Sequence, residues 1–208
     1  KAACPPRVRV ECGYLSEEQI QWWKKLYYHG LGEFFYTNGV DTDMQRFMSI
    51  ETAGEDKKRA ISSHKKLNGC MIPVGGGKDS IVWLHVLSVY GSAEHNMCFM
   101  MNHRNSAFAS ALLAGYRPES IYRPKRYLDR TIVELNKQGF LNGHTPLSAL
   151  IAFAASLSAY VCGKQYVVLS NESSANEASV AGSDVNHQYS KSFEFEKDFS
   201  DYLANYIP

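Results

Sequence analysis

The sequence lacks a Cys-x-x-Cys pair, a strong net charge and an apolar run long enough to cross a membrane. Its five cysteines are irregularly spaced, which indicates neither a zinc site nor a disulfide framework but free thiols in a reducing cytoplasm. A formal net charge of +1 supplies no positive field suited to nucleic acid. The longest apolar run, Ala149 to Cys162, is too short for a bilayer. We therefore expect a cytoplasmic protein without nucleic-acid or membrane partners.

The length of 208 residues fits one sizeable domain, or one domain with an appendage. A polar, lysine-rich stretch over residues 51–68 is typical of a solvated helix face that links two parts of a molecule. We place the domain boundary there, with a mostly helical region over 1–66 and an α/β domain over 67–208. The chain starts without methionine and ends abruptly, so we expect a longer natural protein.

In the N-terminal region, Ser16 and Gln19 form a capping-box pattern that predicts the start of a helix. The aromatic, turn-rich segment from Leu31 to Gly39 is interpreted as part of a core.

The densest glycine cluster is Ile72-Pro-Val-Gly-Gly-Gly-Lys-Asp-Ser80, followed by an apolar helix pattern. It is typical of a strand, a glycine-rich turn and a helix. Consecutive glycines let backbone N–H groups converge, and a helix N-terminus adds unpaired donors and partial positive charge. The sequence therefore predicts an anion-binding loop, with a phosphate as the expected anion.

From residue 67 onward, strand and helix patterns alternate. We predict strands at 70–74, 95–101, 119–123 and 166–170, and helices at 81–90, 107–114, 128–138 and after the N-cap pair Thr145-Pro146. Such alternation favours a parallel sheet with helices on both faces, whose ligands bind at the carboxyl ends of the strands. The glycine loop, Asn102-His103 and Asn171-Glu172 are then expected at one edge.

The loop fits neither the Walker pattern nor the dinucleotide fingerprint. It does match the S-G-G-x-D-S pyrophosphate-binding pattern of the ATP pyrophosphatase (PP-loop) superfamily, with Gly75 in place of the serine. A second polar segment, residues 171–196, combines His, Tyr and charged side chains without helical periodicity, and we interpret it as an active-site loop.

Together these motifs resemble one family, the ATP-dependent UDP-N-acetylmuramoyl-L-alanyl-L-glutamate epimerases. The resemblance rests on the glycine loop and on four further stretches: Leu31 to Gly39, Leu141-Asn-Gly-His-Thr-Pro146, Ser170-Asn-Glu-Ser-Ser-Ala-Asn-Glu177 and Val185-Asn-His-Gln-Tyr-Ser-Lys-Ser-Phe-Glu-Phe-Glu196. It implies a PP-loop fold with an N-terminal helical appendage. It also implies inversion of the terminal L-glutamate of UDP-MurNAc-L-Ala-L-Glu through an acyl-adenylate, releasing AMP and pyrophosphate, in bacterial peptidoglycan precursor synthesis.

The resemblance also implies ATP, Mg²⁺ and a nucleotide-sugar dipeptide as ligands, and it suggests roles for particular residues. The residues expected to bind the nucleotide are Gly75, Gly76, Gly77, Lys78, Asp79, Ser80 and Asn171. The candidate metal ligands are Asp79 and Glu172, and Glu172 is alternatively a ribose ligand. The candidate catalytic residues are Lys191, which would neutralise charge at the α-phosphate, and His187, Tyr189 and Glu172.

Several alternatives stay open. His103 and His144 compete with His187 and Tyr189 as the acid and base at the glutamate Cα, because inversion needs groups on two faces. Arg104, Arg123 and Arg126 are candidates for binding the substrate's carboxylates or diphosphate. Two other functions fit the loop alone: another adenylating enzyme, such as an amide ligase or a tRNA-thiolating enzyme, and a nucleotide-binding module without catalysis.

Overall fold

The structure, a computed structural model, describes residues 3–55, 66–91, 93–102, 104–180 and 182–207. The chain divides into two compact units, each built from several segments. The first comprises Lys1–Ser62, Leu128–Pro146 and Ser173–Pro208, and the second comprises Ser63–Tyr127 and Leu147–Glu172. The sequence-based division at residues 66 and 67 stays a prediction, because compactness groups the segments differently. Within the described ranges, no helix is long and apolar enough to span a membrane.

Strands and helices alternate along much of the chain. The strands are β1 (Arg7–Val10), β2 (Ser49–Thr52), β3 (Cys70–Pro73), β4 (Met97–Phe99), β5 (Ile121–Tyr122) and β6 (Tyr166–Val167). The α-helices are α1 (Glu17–Gly30), α2 (Gly32–Thr37), α3 (Lys78–Val89), α4 (Asn105–Leu113), α5 (Arg130–Lys137), α6 (Leu147–Val161) and α7 (Phe193–Tyr206). The four strands and four helices predicted from residue 70 to residue 170 are each found, with the strands shorter than predicted.

The second unit is organised around a four-stranded sheet in the order β5-β4-β3-β6. Every pairing is parallel: Met71 of β3 lies opposite Met97 of β4 on one side and opposite Val167 of β6 on the other. The chain therefore moves outward from β3 to β4 and β5, then returns to place β6 on the other side of β3. The predicted parallel sheet is confirmed.

Helices cover both faces of this sheet. Because successive side chains of a strand point to opposite faces, Ile72 and Met71 belong to different clusters. Ile72 packs with Leu84 of α3 and Ala107 of α4, whereas Met71 packs with Ala155 of α6. The small alanine side chains let α4 and α6 lie close to the sheet, and the predicted two-sided arrangement is confirmed.

In the first unit, side chains of α1 contact side chains of α7. The capping box at the start of α1 is present as predicted, with Ser16 Oγ accepting from Gln19 N at 3.3 Å and Ser16 N donating to Gln19 Oε1 at 3.0 Å. On the buried side, Trp22 packs against Tyr202 of α7, with ring centroids 4.4 Å apart. Tyr202 also accepts a hydrogen bond from the Trp23 indole at 3.2 Å, so α1 and α7 are joined by both packing and polar contacts.

The segment from Leu31 to Gly39 is part of a core, as predicted, since Phe34 is fully buried and Leu31 is buried. Most of the segment forms α2, so tertiary packing outweighs the weak helix propensity of glycine and aromatic residues. Strand β2, which was not predicted, pairs in parallel with β1. The N-terminal region is therefore a helical region with a two-stranded parallel ribbon.

Candidate functional site

The glycine loop joins β3 to α3 at the carboxyl edge of the sheet. Val74 N donates to Phe99 O at 2.9 Å directly before the loop, so the sheet supports its start. Gly77 is the N-cap of α3, extended at φ −87° and ψ 171°, and supplies no side-chain cap. As at the start of any helix, the first N–H groups of α3 have no intrahelical acceptor, and the helix end carries partial positive charge. This end is therefore suited to an anion.

Gly76 brings the loop against a second helix. Its φ is +85°, and a Cβ there would lie 3.0 Å from Ser106 Oγ and 3.1 Å from Ala107 N, both in the first turn of α4. At Gly75 and Gly77, by contrast, a Cβ would meet nothing within 4 Å. Only the middle glycine is required by close packing, and the loop lies beside the starts of both α3 and α4.

The three residues after the glycines begin α3. Ser80 is buried, and its hydroxyl donates to Gly77 O at 2.9 Å, which closes the loop; its predicted contact with phosphate stays a prediction. Asp79 is a half-buried acidic residue of the first turn. Lys78 Nζ lies 3.8 Å from Glu172 Oε2, with both side chains exposed, so this ion pair contributes little to stability.

The Lys78–Glu172 pair shows that the glycine loop and Asn171-Glu172 lie at one edge, as predicted. Strand β3, which leads into the loop, lies between β4 and β6, and Asn171 follows β6. The chain changes direction across the sheet between β3 and β6, which makes this edge its topological switch point. Open parallel sheets bind ligands at that position.

The carboxylates of Asp79 and Glu172 are the type of ligand that the predicted Mg²⁺ would need. Mg²⁺ is usually held by one or two carboxylates together with substrate phosphates and water. The part of the chain that the structure describes contains no group of three or more His, Cys, Asp or Glu side chains placed for a metal. The Mg²⁺ site at Asp79 and Glu172 therefore stays a prediction.

Basic residues follow β4 and β5 at the same edge. Asn102 has a left-handed φ of 53°; its N donates to Pro124 O at 3.0 Å, and its Oδ1 accepts from Arg126 N at 2.7 Å. Asn102 thus ties the loop after β5 to the loop after β4. Arg123 lies over the Phe108 ring at 5.3 Å, whereas Arg104 is exposed at the N-cap of α4.

Of these three candidates, Arg104 is the one at the helix start that Gly76 approaches. His103 lies outside the described residues.

The downstream motif with His187, Tyr189 and Lys191 lies in the first unit. Asn186 organises it: its Nδ2 donates to Ala175 O at 2.7 Å, and its Oδ1 accepts from Gln188 N at 2.7 Å. His187 is exposed, and its Nδ1 lies 2.5 Å from Ser179 Oγ. Ser179 Oγ also accepts from His187 N at 3.0 Å. The serine therefore fixes the orientation of the imidazole.

His144 is brought close to His187, with ring centroids 6.0 Å apart and the rings perpendicular. Tyr189, in contrast, is only 5% exposed. It is stacked on His29 at a centroid distance of 4.9 Å. Burial raises the pKa of the Tyr189 phenol well above its ordinary value. This environment favours a packing role for Tyr189 over the predicted acid–base role.

Lys191 ends a short 3-10 turn, Tyr189–Lys191, and is half-buried. Its N donates to Gln188 O at 2.7 Å. The predicted site residues therefore divide between the units. The glycine loop, Asn171 and Glu172 belong to the second unit, whereas His187, Tyr189 and Lys191 belong to the first.

Sequence reasoning missed three residues that shape these places: Ser106, Ser179 and His29. Small residues at the start of α4 were a usable signal for Ser106, because a glycine loop can approach only a helix end without bulk. His29 lies one turn beyond Lys25 on α1, which places both on one helix face. No pattern in the sequence connects Ser179 with His187.

The fold and site define a parallel α/β protein with a glycine-rich loop before a helix N-terminus at its topological switch point. The family model described as "MurL N-terminal domain" matches residues 1–208. The chain belongs to that family.

Three curated relatives carry the name UDP-N-acetyl-alpha-D-muramoyl-L-alanyl-L-glutamate epimerase. The protein from Xanthomonas oryzae pv. oryzae is 32% identical over 211 residues, covering 100% of this chain and 45% of the relative. Those from Micromonospora sp. and Salinispora tropica are 30% and 32% identical, each covering 94% of this chain and 42% of the relative. The family resemblance drawn from the motifs is confirmed, and the chain spans less than half the length of these relatives. No solved structure matches it.

Proposed function

We propose that this chain supplies the nucleotide-binding part of an enzyme that uses ATP to invert the terminal L-glutamate of UDP-MurNAc-L-Ala-L-Glu. The observation that carries the proposal is the glycine loop at the switch point. Gly76 of this loop lies close to the start of α4, and the loop leads into α3, whose N-cap Gly77 provides no side-chain cap. The names of the three relatives support the substrate and the reaction. The proposed setting is cytoplasmic synthesis of bacterial peptidoglycan precursors.

The loop would hold the β- and γ-phosphates of ATP. The N–H groups from Gly75 to Ser80 are the donors, and the absence of a side chain at Gly77 lets phosphate oxygens approach the backbone. Lys78 is exposed beside Glu172. Its ammonium group would leave the Glu172 carboxylate and contact a phosphate when ATP binds. Asp79 and Glu172 would hold Mg²⁺, which screens phosphate charge when bound.

Adenylation addresses the chemical difficulty of this inversion. The Cα proton of glutamate is very weakly acidic, because the adjacent carboxylate opposes further negative charge. A carboxylate oxygen therefore attacks the α-phosphorus of ATP, forming a carbon–oxygen–phosphorus anhydride while the bond to the β-phosphate breaks and pyrophosphate leaves. The anhydride withdraws electrons, so the Cα–H bond becomes far more acidic. Hydrolysis of the anhydride then releases AMP and makes the process directional.

Lys191 and His187 are proposed to serve the two halves of this chemistry. A lysine ammonium close to the α-phosphate would stabilise the charge that develops there during attack. His187 is exposed and oriented by Ser179, which suits a group that takes or gives a proton at Cα. Inversion needs a second group on the opposite face of Cα, and His144 stays a candidate for that group.

The test uses the protein expressed from its complete reading frame, incubated with ATP and UDP-MurNAc-L-Ala-L-Glu in D₂O. We expect D-glutamate carrying one deuterium at Cα, with one AMP released per inversion, measured by chiral chromatography and mass spectrometry. An ATP analogue with a methylene bridge between the α- and β-phosphates is the control and should block both products.

Three other outcomes would contradict the proposal. AMP formation without exchange at Cα would indicate a ligase, and absence of AMP with every substrate would indicate a nucleotide-binding module. Inversion that continues with the methylene analogue would remove adenylation from the mechanism.

A further inference from the structure

The motif Asn186-His-Gln-Tyr-Ser-Lys191 has a buried part and a solvent-facing part. Tyr189 and Ser190 are each 5% exposed, whereas His187 is exposed and Lys191 is half-buried. His187 and Lys191, the two candidate catalytic residues, therefore lie two positions before and two positions after the buried Tyr189. Their placement depends on what holds that ring.

The Tyr189 ring is held between two elements of the first unit. On one side it is stacked on His29 of α1, with centroids 4.9 Å apart and planes 28° apart. On the other it meets Phe195 of α7 at 6.2 Å, with the planes 63° apart. Such aromatic contacts hold a ring in one orientation, because both distance and angle affect their energy. Among the described ring contacts of Tyr189, His29 is the only one from α1.

Ion pairs from the same side of α1 hold α7, the helix that follows the Tyr189–Lys191 turn. Lys25, one turn before His29, lies 2.6 Å from Asp198 Oδ2 and 2.8 Å from Glu194 Oε1, both on α7. Burial by itself would lower the pKa of Lys25, but its hydrogen bonds to Asp198 and Glu194 raise that pKa well above its ordinary value. The lysine therefore stays charged and keeps α7 in register with α1.

We infer that His29 is a positioning residue for His187 and Lys191: its ring, stacked on Tyr189, fixes the turn that carries them. The inference rests on the proposed function, since it assigns His29 a part in that reaction without contact with substrate. It also gives Tyr189 a role that its burial permits.

The inference includes a dependence on pH. The charged groups that act on His29 are Lys25 on α1, Glu194 and Asp198 on α7, and Asp184 in the preceding loop, with the Tyr189 phenol stacked on the ring. Burial lowers the pKa of His29, with the nearby carboxylates opposing the shift. The unfolded chain therefore binds the proton more readily than the folded one. The stability that neutral His29 contributes to the folded state is complete above the ordinary histidine pKa. It is lost as the pH falls from there through the folded-state pKa.

Three variants separate the stack from other roles. His29→Ala removes the ring, His29→Phe keeps a ring that does not titrate, and Tyr36→Ala removes an exposed ring from the same unit as a control. Amide hydrogen exchange over residues 186–192 is measured by mass spectrometry, together with kcat for inversion and KM for ATP.

For His29→Ala we expect about threefold to tenfold faster exchange and a similar fall in kcat, the size that one aromatic pair supports. KM for ATP should stay unchanged. His29→Phe should restore both exchange and kcat and remove the acid sensitivity of the turn. Tyr36→Ala should behave as the unmodified protein.

Two results would overturn the inference. Exchange in His29→Ala equal to that of the unmodified protein would show that the stack does not hold the turn. Equal loss of protection in His29→Ala and His29→Phe would show that the imidazole nitrogens, and not the stacked ring, are required. Absence of inversion in the unmodified protein would count against the proposed function alone, because the exchange measurement needs no activity.

Discussion

Replacing Gly76 by alanine is expected to slow AMP formation by about tenfold, because the loop would shift by a few tenths of an ångström, less than the roughly 1 Å misplacement that costs about 100-fold. Alanine is strained at a φ of +85°, and its Cβ would lie 3.1 Å from Ala107 N and 3.0 Å from Ser106 Oγ. Because one of these atoms belongs to the backbone, the loop or the start of α4 has to move. The measurements are the rate of AMP release and the dissociation constant of ATP by calorimetry.

Gly75→Ala is the matched control for Gly76→Ala. It adds the same methyl group one residue earlier, where nothing lies within 4 Å and the backbone is outside the left-handed region. We expect ATP binding close to that of the unmodified protein. If the two variants bind ATP equally well, the close approach of the loop to α4 has no part in nucleotide binding.

Lys191→Met is expected to lower the rate of AMP formation by about 100-fold to 1000-fold, the usual cost of removing one group that stabilises a developing negative charge. Methionine keeps much of the side-chain length but removes the ammonium group proposed to act at the α-phosphate. The loss should fall on the adenylation step, so ATP should still bind. Single-turnover release of pyrophosphate measures that step directly.

The control for this variant is Lys197→Met, which removes an exposed lysine of α7. It makes the same change of charge six residues away and should leave pyrophosphate release unchanged. Equal rates for the two lysine variants would assign the α-phosphate role to another residue, with Arg104 at the start of α4 as the next to test.

The sequence predicted the second unit well because its signals are local. The apolar strand, the glycines and the start of α3 lie within a few residues of one another, and alternation of strand and helix leaves few topologies for a parallel sheet. The meeting of Glu172 with Lys78 followed from that topology. Family membership followed from the motifs.

The sequence could not show which side of the downstream motif faces inward. His187 and Tyr189 are two residues apart and equally plausible as proton donors by residue type, yet one is exposed and the other is stacked on His29. That difference depends on α1, about 160 residues earlier in the chain, as in the Gln19–Tyr202 hydrogen bond, which spans 183 positions. Strand β2 was missed for a similar reason, because its four residues become a strand only through pairing with β1.

The parallel pairing of β1 with β2 affects the order in which the first unit folds. Arg7 and Glu51, which form an exposed ion pair across the ribbon, are 44 positions apart, and α1 and α2 lie between them. Pairing β1 with β2 closes a long loop, which costs entropy before the four-residue pairing stabilises the structure. The ribbon is therefore expected to form after the helices, and the N-terminal strand should be among the last parts of the chain to become protected during refolding.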